Sequence, residues 1–375
     1  MAKKVSYWLL ITLVLSLGFG QLLRFNFFGL PIYIHDILVV CLLVLQGLTC
    51  DWRSIMRSLL NRNSRLQIEK GSAAADRRLL IGIPVFLLAL GLSSIRALTL
   101  YPISSLLTPS LYMFRLLAYL ALYLTLKQSK IHIPAKVFVI AGIVSLLIGA
   151  TQYFLMPDMR IFQYLGWDDH LSRLTLPHFD PTFTAVMLSL AALSFPRFVP
   201  IFLIVILLTY SRSAWLSLVL TFAYFMIKVR NLNYLIIGIC LFVIPILFLP
   251  KKFGEGTNLL RTFSISSRFQ SDVSYITRYK GDLFIGRGLN TLILDITTSS
   301  YENHATGPNN SYLYLLTTTG ILGLAGWGIF MKHLFTHSTH KPMLMFFFIA
   351  SLFNNVMFYP FALIWILLIE SDIVS

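Results

Sequence analysis

Charge is scarce in this chain: 12% of its 375 residues are Asp, Glu, Lys or Arg, against 57% hydrophobic, and the mean hydropathy is +0.77. A soluble globular protein of this length carries about twice that share of charge, so this class is excluded and a polytopic membrane protein is expected. Cysteine is nearly absent. Cys41, Cys50 and Cys240 lie in or at the ends of apolar runs, which rules out a disulfide framework and a zinc-spaced cluster and leaves them as small apolar side chains. Acids are half as common as bases, 15 against 30. In a soluble protein the resulting charge of +15 would point to nucleic acid; here the preference of basic residues for cytoplasmic loops accounts for it first, and no nucleic-acid partner is expected. Also missing are internal repeats, low-complexity tracts and any polar stretch long enough for an independent soluble domain. The apolar run after Lys3 and Lys4 has no small-residue cleavage site behind it, because "GFGQLLRFNFFG" stays bulky, so it reads as a retained first span.

What the chain has in quantity is apolar runs. About 20 such residues cross a bilayer, and spans are expected near 5–20, 35–50, 79–97, 104–126, 137–156, 181–196, 198–210, 214–227, 232–249, 310–331 and 342–370. The last contains Pro360 and is either one kinked helix or two short ones, giving about 11 or 12 spans in one all-α bundle over residues 1–375. Threading them from a cytoplasmic N-terminus puts Lys127, Lys130, Lys136, Lys332 and Lys341 inside, together with the basic loop 51–78 and its Arg53, Arg57, Arg62, Arg65, Lys70, Arg77 and Arg78. Two external segments are left as the working parts: 157–180 and the long loop 250–308 that precedes the tenth span.

Several basic residues on that outer side are not needed for topology. Arg212 lies between two serines in "TYSRSAWLSL"; its planar, permanently charged fork suits a lipid phosphate at the membrane surface, and the alternative is a snorkelling residue that caps helix ends. Arg115 interrupts "LYMFRLLAYLALYL", so it faces the bundle interior or a polar cavity, as a site residue or as half of a structural pair. "GWDDHLSRLTLPHFDPTF" gathers Asp168, Asp169, His170, Arg173 and His178 before Pro181 opens the next span. Asp169 and Arg173 are spaced to pair on a helix, and the spacing of the acids and histidines matches no metal motif, so no metal is expected. In "SISSRFQSDVSYITRYKGDLFIGRGL" a short helix puts Arg268, Asp272, Tyr275 and Tyr279 on one face, with Arg278 at its end. That face is either merely solvated or presents Arg268 to a phosphate or acidic sugar. Gly286 and Gly288 supply a sharp turn, weak by itself as a phosphate cradle. No Ser-His-Asp or Cys-His arrangement and no glycosidase-like carboxylate pair stands out.

With these residues assembled, the chain resembles the integral-membrane O-antigen polymerase and O-antigen ligase superfamily of bacterial surface-polysaccharide assembly. "TYSRSAWLSL" is similar to that family's Ser-Arg-Ser/Gly signature, "SRF…LFIGRGL" to its arginine-then-GxG pattern, and "PNNSYLYLLTTTGILGL" to its Asn-Ser-Tyr-Leu…Gly element. The likeness covers most of the chain after about residue 100. It implies transfer of a glycan from an undecaprenyl diphosphate carrier at the outer face of the bacterial cytoplasmic membrane, without metal or other cofactor. A polymerase passes the growing chain to a new lipid-linked repeat, and a ligase passes it to an acceptor such as lipid A core. A chain-length regulator and a flippase are the partners implied beside the lipid-linked oligosaccharide and membrane lipid. Carried over by residue, Arg212 and Arg268 match family arginines that hold the diphosphate, Arg173 sits in a stretch like the polymerase "DDHxxR…P" pattern, and Asn309, Asn310 and Tyr312 fall in the Asn-Ser-Tyr-Leu element, with Arg115 and Arg278 as further substrate contacts. One departure matters: family ligases place a histidine, the proposed base, where this chain has Asn309. Asn309 cannot take a proton, so ligase chemistry needs His304, five residues earlier, as its substitute. Polymerase is therefore expected over ligase, and a flippase, which more often shows internal repeats and short loops, is expected least.

Overall fold

The computed structural model describes residues 2–27, 30–49, 73–129, 131–165, 167–230, 255–259, 263–295 and 307–374, with positions 236, 240, 243 and 247 between them. Residues 51–72 of the basic loop fall outside the described residues, as do the stretch carrying His304 and nearly all of the span expected near 232–249. The chain is mostly helical. The helices are α1 (Ala2–Leu17), α2 (Ile34–Thr49), α3 (Ala73–Leu100), α4 (Leu107–Gln128), α5 (Ala135–Leu155), α6 (Pro181–Ser194), α7 (Val199–Leu207), α8 (Arg212–Val229), α9 (Phe263–Arg278), α10 (Ser311–His337), α11 (Lys341–Phe353) and α12 (Pro360–Ile369). A hairpin interrupts the all-α expectation: β1 (Arg24–Phe27) pairs antiparallel with β2 (Leu30–Tyr33) in the loop between the first two helices.

Four described helical segments, 81–100, 103–128, 135–155 and 311–337, are long and apolar enough to cross a membrane. α6 and α7 pass that test only together, across a 120° bend at Phe195 and Pro196, where Pro196 cannot donate to the α6 ladder. The last apolar run divides into α11 and α12 around the turn 354–359. Pro360 at the first position of α12 supplies a preset φ and no orphan N–H.

The densest packing in the bundle is between α3 and α10. Gly82 and Gly326 let the two backbones touch: a Cβ on Gly326 would lie 2.6 Å from the Phe86 nitrogen, and one on Gly82 would lie 2.7 Å from that of Phe330. In a membrane, where hydrophobic burial between helices is weak, such close approach is the main source of attraction. Behind it, Phe86, Trp327 and Phe330 interlock edge to face and tilted. α10 itself breaks at Gly320, whose φ of 72° lies in the left-handed region.

Candidate functional site

A cavity of roughly 750 Å³ opens at one end of the bundle, among the hairpin, the start of α4, the 167–183 stretch, α9 and the turns before α10 and α12. Its position follows from helix direction. α6, α10 and α12 all begin at this wall, through Thr182, Asn309 and Tyr359 respectively. Each N-terminus brings the positive end of a helix dipole, which favours negative charge, although the first amides of α6 and α10 are already taken by side-chain caps. The Asp180 carboxylate caps α6 by accepting from the Thr182 and Phe183 amides at 2.6 and 2.9 Å. Asn310 caps α10 through the Tyr312 and Leu313 amides. α12 has no side-chain cap.

Arg24, Arg115 and Arg268 contribute side chains to the wall. Arg24 lies at the rim, 5.4 Å over the Trp167 ring, and donates to Asn26 at 3.1 Å. Arg115, the intramembrane arginine, pairs with Asp36 at 2.8 Å and donates to the Pro31 carbonyl at 2.7 Å between the rings of Tyr33 and Tyr112. Asp36 also accepts from Tyr119 and from the Tyr33 amide, so this buried pair is well satisfied and ties the hairpin to α2 and α4. Arg268 differs. It lines the cavity from α9, donates to the Phe353 carbonyl at 3.0 Å, and has no carboxylate at salt-bridge distance among the described residues. Burial pulls its pKa below the usual arginine value and the charges of Asp180 and Asp272 pull the other way, yet a guanidinium stays protonated in either case. Of its five donors, Phe353 takes one.

Arg173 and Arg212 are not part of the cavity wall. Arg173 is buried and donates to the carbonyls of Thr209 and Tyr210 at 3.0 and 3.4 Å. Because 167–172 is not helical, the expected helix pairing of Asp169 with Arg173 has no helix to rest on, and Arg173 instead braces the turn before α8. Arg212 opens α8 and donates to the Leu259 carbonyl at 3.2 Å, holding the start of the long loop. The Ser-Arg-Ser stretch does reach the cavity, through Ser213: its hydroxyl accepts from the Asn354 amide at 2.9 Å, and Asn354 lines the wall. Asn354 and Asn355, in "LFNNVMFYP", were missed as site residues; their only signal was a polar pair inside an apolar run.

The GxG turn is structural. Its three amides are taken, Gly286 by Asp282, Arg287 by Thr317 and Gly288 by Thr318, so none remains for a phosphate. A Cβ on Gly286, at φ 82°, would collide with the Thr318 backbone, and Ile321 returns a hydrogen bond to Leu283. The turn fills the break of α10 at Gly320. Arg287 and Arg96 both bind Asp282, and Arg287 also reaches Asp295 and the Tyr101 hydroxyl. Arg278 is exposed and donates to the Asp295 carbonyl at 2.9 Å, away from the cavity. Tyr312 turns its hydroxyl to the Phe348 carbonyl at 3.1 Å. Asn309 lines the cavity.

Asp168, His170 and Asp180 bring one ligand atom each within 4.8 Å of one another. One oxygen of Asp180 is committed to the α6 cap, and Arg268 and Arg173 add positive charge beside the group. The two acids of this group also offset the positive charge of the nearby arginines. Burial lowers the pKa of His170 against the pull of those acids. No protein family, curated protein or solved structure matches this chain. Chemically, the site is a cavity of mixed charge, with Arg24, Arg115 and Arg268 beside Asp168 and Asp180 and with aromatic walls, at one end of an apolar helix bundle.

Proposed function

We propose that the chain polymerises undecaprenyl-diphosphate-linked oligosaccharide repeats into surface polysaccharide at the outer face of the bacterial cytoplasmic membrane. The observation that carries this reading is the convergence of Arg268, with donors to spare, and three helix N-termini on one cavity rimmed by aromatic side chains. A lipid diphosphate supplies the negative charge that such an arrangement favours, and aromatic faces suit the apolar faces of sugars. The likeness of "TYSRSAWLSL" and "PNNSYLYLL" to the polymerase and ligase superfamily supports the same reading. So does the charge pattern: Lys127 and Lys341 lie at the helix ends away from the cavity, as they would if the cavity faced outward and the N-terminus lay in the cytoplasm. In the mechanism, Arg268 stabilises charge on the departing diphosphate and the cavity holds the acceptor hydroxyl in line, so that electrostatics and positioning do most of the work. Asn309 on the cavity wall cannot act as a base, which favours polymerase over ligase.

Depleting the protein in its native cell and sizing the surface glycan tests this. Single repeats left on the carrier are the expected result. Long chains stranded on the carrier would make it a ligase, repeats trapped on the cytoplasmic face a flippase, and an unchanged profile would overturn the assignment.

A further inference from the structure

Asp168 and Asp180 are the described carboxylates on the cavity wall, and they differ in how they are held. Asp168 is exposed and makes no hydrogen bond among the described residues. Asp180 is partly buried, its Oδ1 fixed by the Thr182 and Phe183 amides at 2.6 and 2.9 Å. Its Oδ2 has no partner among the described residues. Asp180 is also close enough for its charge to act on Arg268, which lines the same wall. A general base must sit at a defined position beside the atom that loses the proton, and a carboxylate clamped by two backbone amides at a helix start meets that condition as a mobile one does not. The cavity wall otherwise offers arginines, asparagines and tyrosines, none of which is a good proton acceptor at neutral pH.

We propose that Asp180 is the general base that activates the acceptor hydroxyl, an assignment that rests on the polymerase reading given above. In this step the acceptor oxygen bonds to the anomeric carbon of the donor glycan. The bond from that carbon to the carrier's phosphate oxygen breaks, and its electron pair leaves with undecaprenyl diphosphate, whose charge Arg268 offsets. The hydroxyl proton passes to Oδ2 of Asp180 and from there to water. Base and leaving-group clamp thus share one end of the cavity.

Capping and proton transfer are separable, because asparagine and serine cap helices nearly as well as aspartate and neither takes a proton. The test uses the full-length chain in proteoliposomes, with the lipid-linked repeat pool extracted from the host's own membranes for turnover and undecaprenyl diphosphate as the binding probe. Asp180→Asn, with Asp180→Ser as the second variant should the first not fold, is expected to lower kcat by about 100-fold or more. Melting temperature, KM and the Kd for undecaprenyl diphosphate stay at wild-type values. The exposed Asp169→Asn serves as a control with ordinary turnover. Wild-type kcat in the Asp180 variants would overturn the base assignment alone, as would a loss of undecaprenyl diphosphate binding that matches the loss of turnover, or the whole effect appearing in Asp168→Asn instead. Failure of the wild-type protein to lengthen any glycan would overturn the assignment together with the reading beneath it.

Discussion

At the cavity, Arg268 lines the wall and gives one donor, the only one bonded among the described residues, to the Phe353 carbonyl; behind it, Arg173 is buried and directs its guanidinium to the Thr209 and Tyr210 carbonyls. Arg212 does the same for Leu259, and Arg96 and Arg287 share Asp282. One residue type therefore does two jobs in regions that adjoin. Where the surroundings already supply enough acceptors, arginine acts as a brace for loops that cannot form regular hydrogen-bond ladders. Where they do not, its charge and donors are left for a ligand.

The sharpest break between the two regions is expected at the braced side. Gly286→Val forces a β-branched residue to φ 82° against the Thr318 backbone and should cost about 4 kcal/mol or more, seen as loss of monodisperse protein after extraction from membranes. Arg173→Ala comes next: it strands the buried carbonyls of Thr209 and Tyr210, a loss of about 3 kcal/mol read as a lower melting temperature. Arg268→Ala reverses the pattern. It should leave the melting temperature nearly unchanged while weakening undecaprenyl diphosphate binding by about 10- to 100-fold, the worth of charged hydrogen bonds of 1.5–3 kcal/mol. If Arg268→Ala instead destabilises the fold as Arg173→Ala does, the distinction between ligand-facing and bracing arginines collapses.

The smallest effect near neutral pH is one of protonation. His178 is fully buried in the loop before α6, with its Nδ1 2.8 Å from the Tyr359 hydroxyl, and burial lowers its pKa to about 3. An unfolded histidine protonates near 6.5, so the neutral ring supports the fold fully above that value. Stability should fall by about 1 kcal/mol as the pH drops from 6.5 to 5.5 and continue falling toward 3. His178→Gln should flatten this acid sensitivity, measurable as the pH dependence of the melting temperature.

Helix positions were largely legible in the sequence, because runs such as "FVIAGIVSLLIGA" and "SYLYLLTTTGILGLAGW" have few ways to satisfy their backbone in a membrane except as helices. The caps were legible in part: Pro181 was seen as the start of a span, and it follows Asp180 at the cap position. The hairpin 24–33 was not, since two four-residue strands leave little alternation to read. The site was legible as a set of residues and not as a geometry. Arg115, Arg268 and Asn309 line the cavity, whereas Arg173, Arg212 and Arg278 hold backbone carbonyls outside its wall. Asn354 had only a polar pair inside an apolar run to announce it, and Tyr359 had no pattern.

By itself the sequence determined that the chain is mostly helical, with apolar helices consistent with a multi-pass membrane protein, because apolar runs with so little charge have few other ways to satisfy their backbone. It also determined that arginine carries the polar chemistry, because arginine is charged wherever it lies. Only the tertiary structure decided which arginines line the cavity and which brace a turn. That choice depends on where backbone carbonyls are left without partners, and those positions are set by the packing of distant segments, such as Thr209 against Arg173 and Thr318 against Gly286.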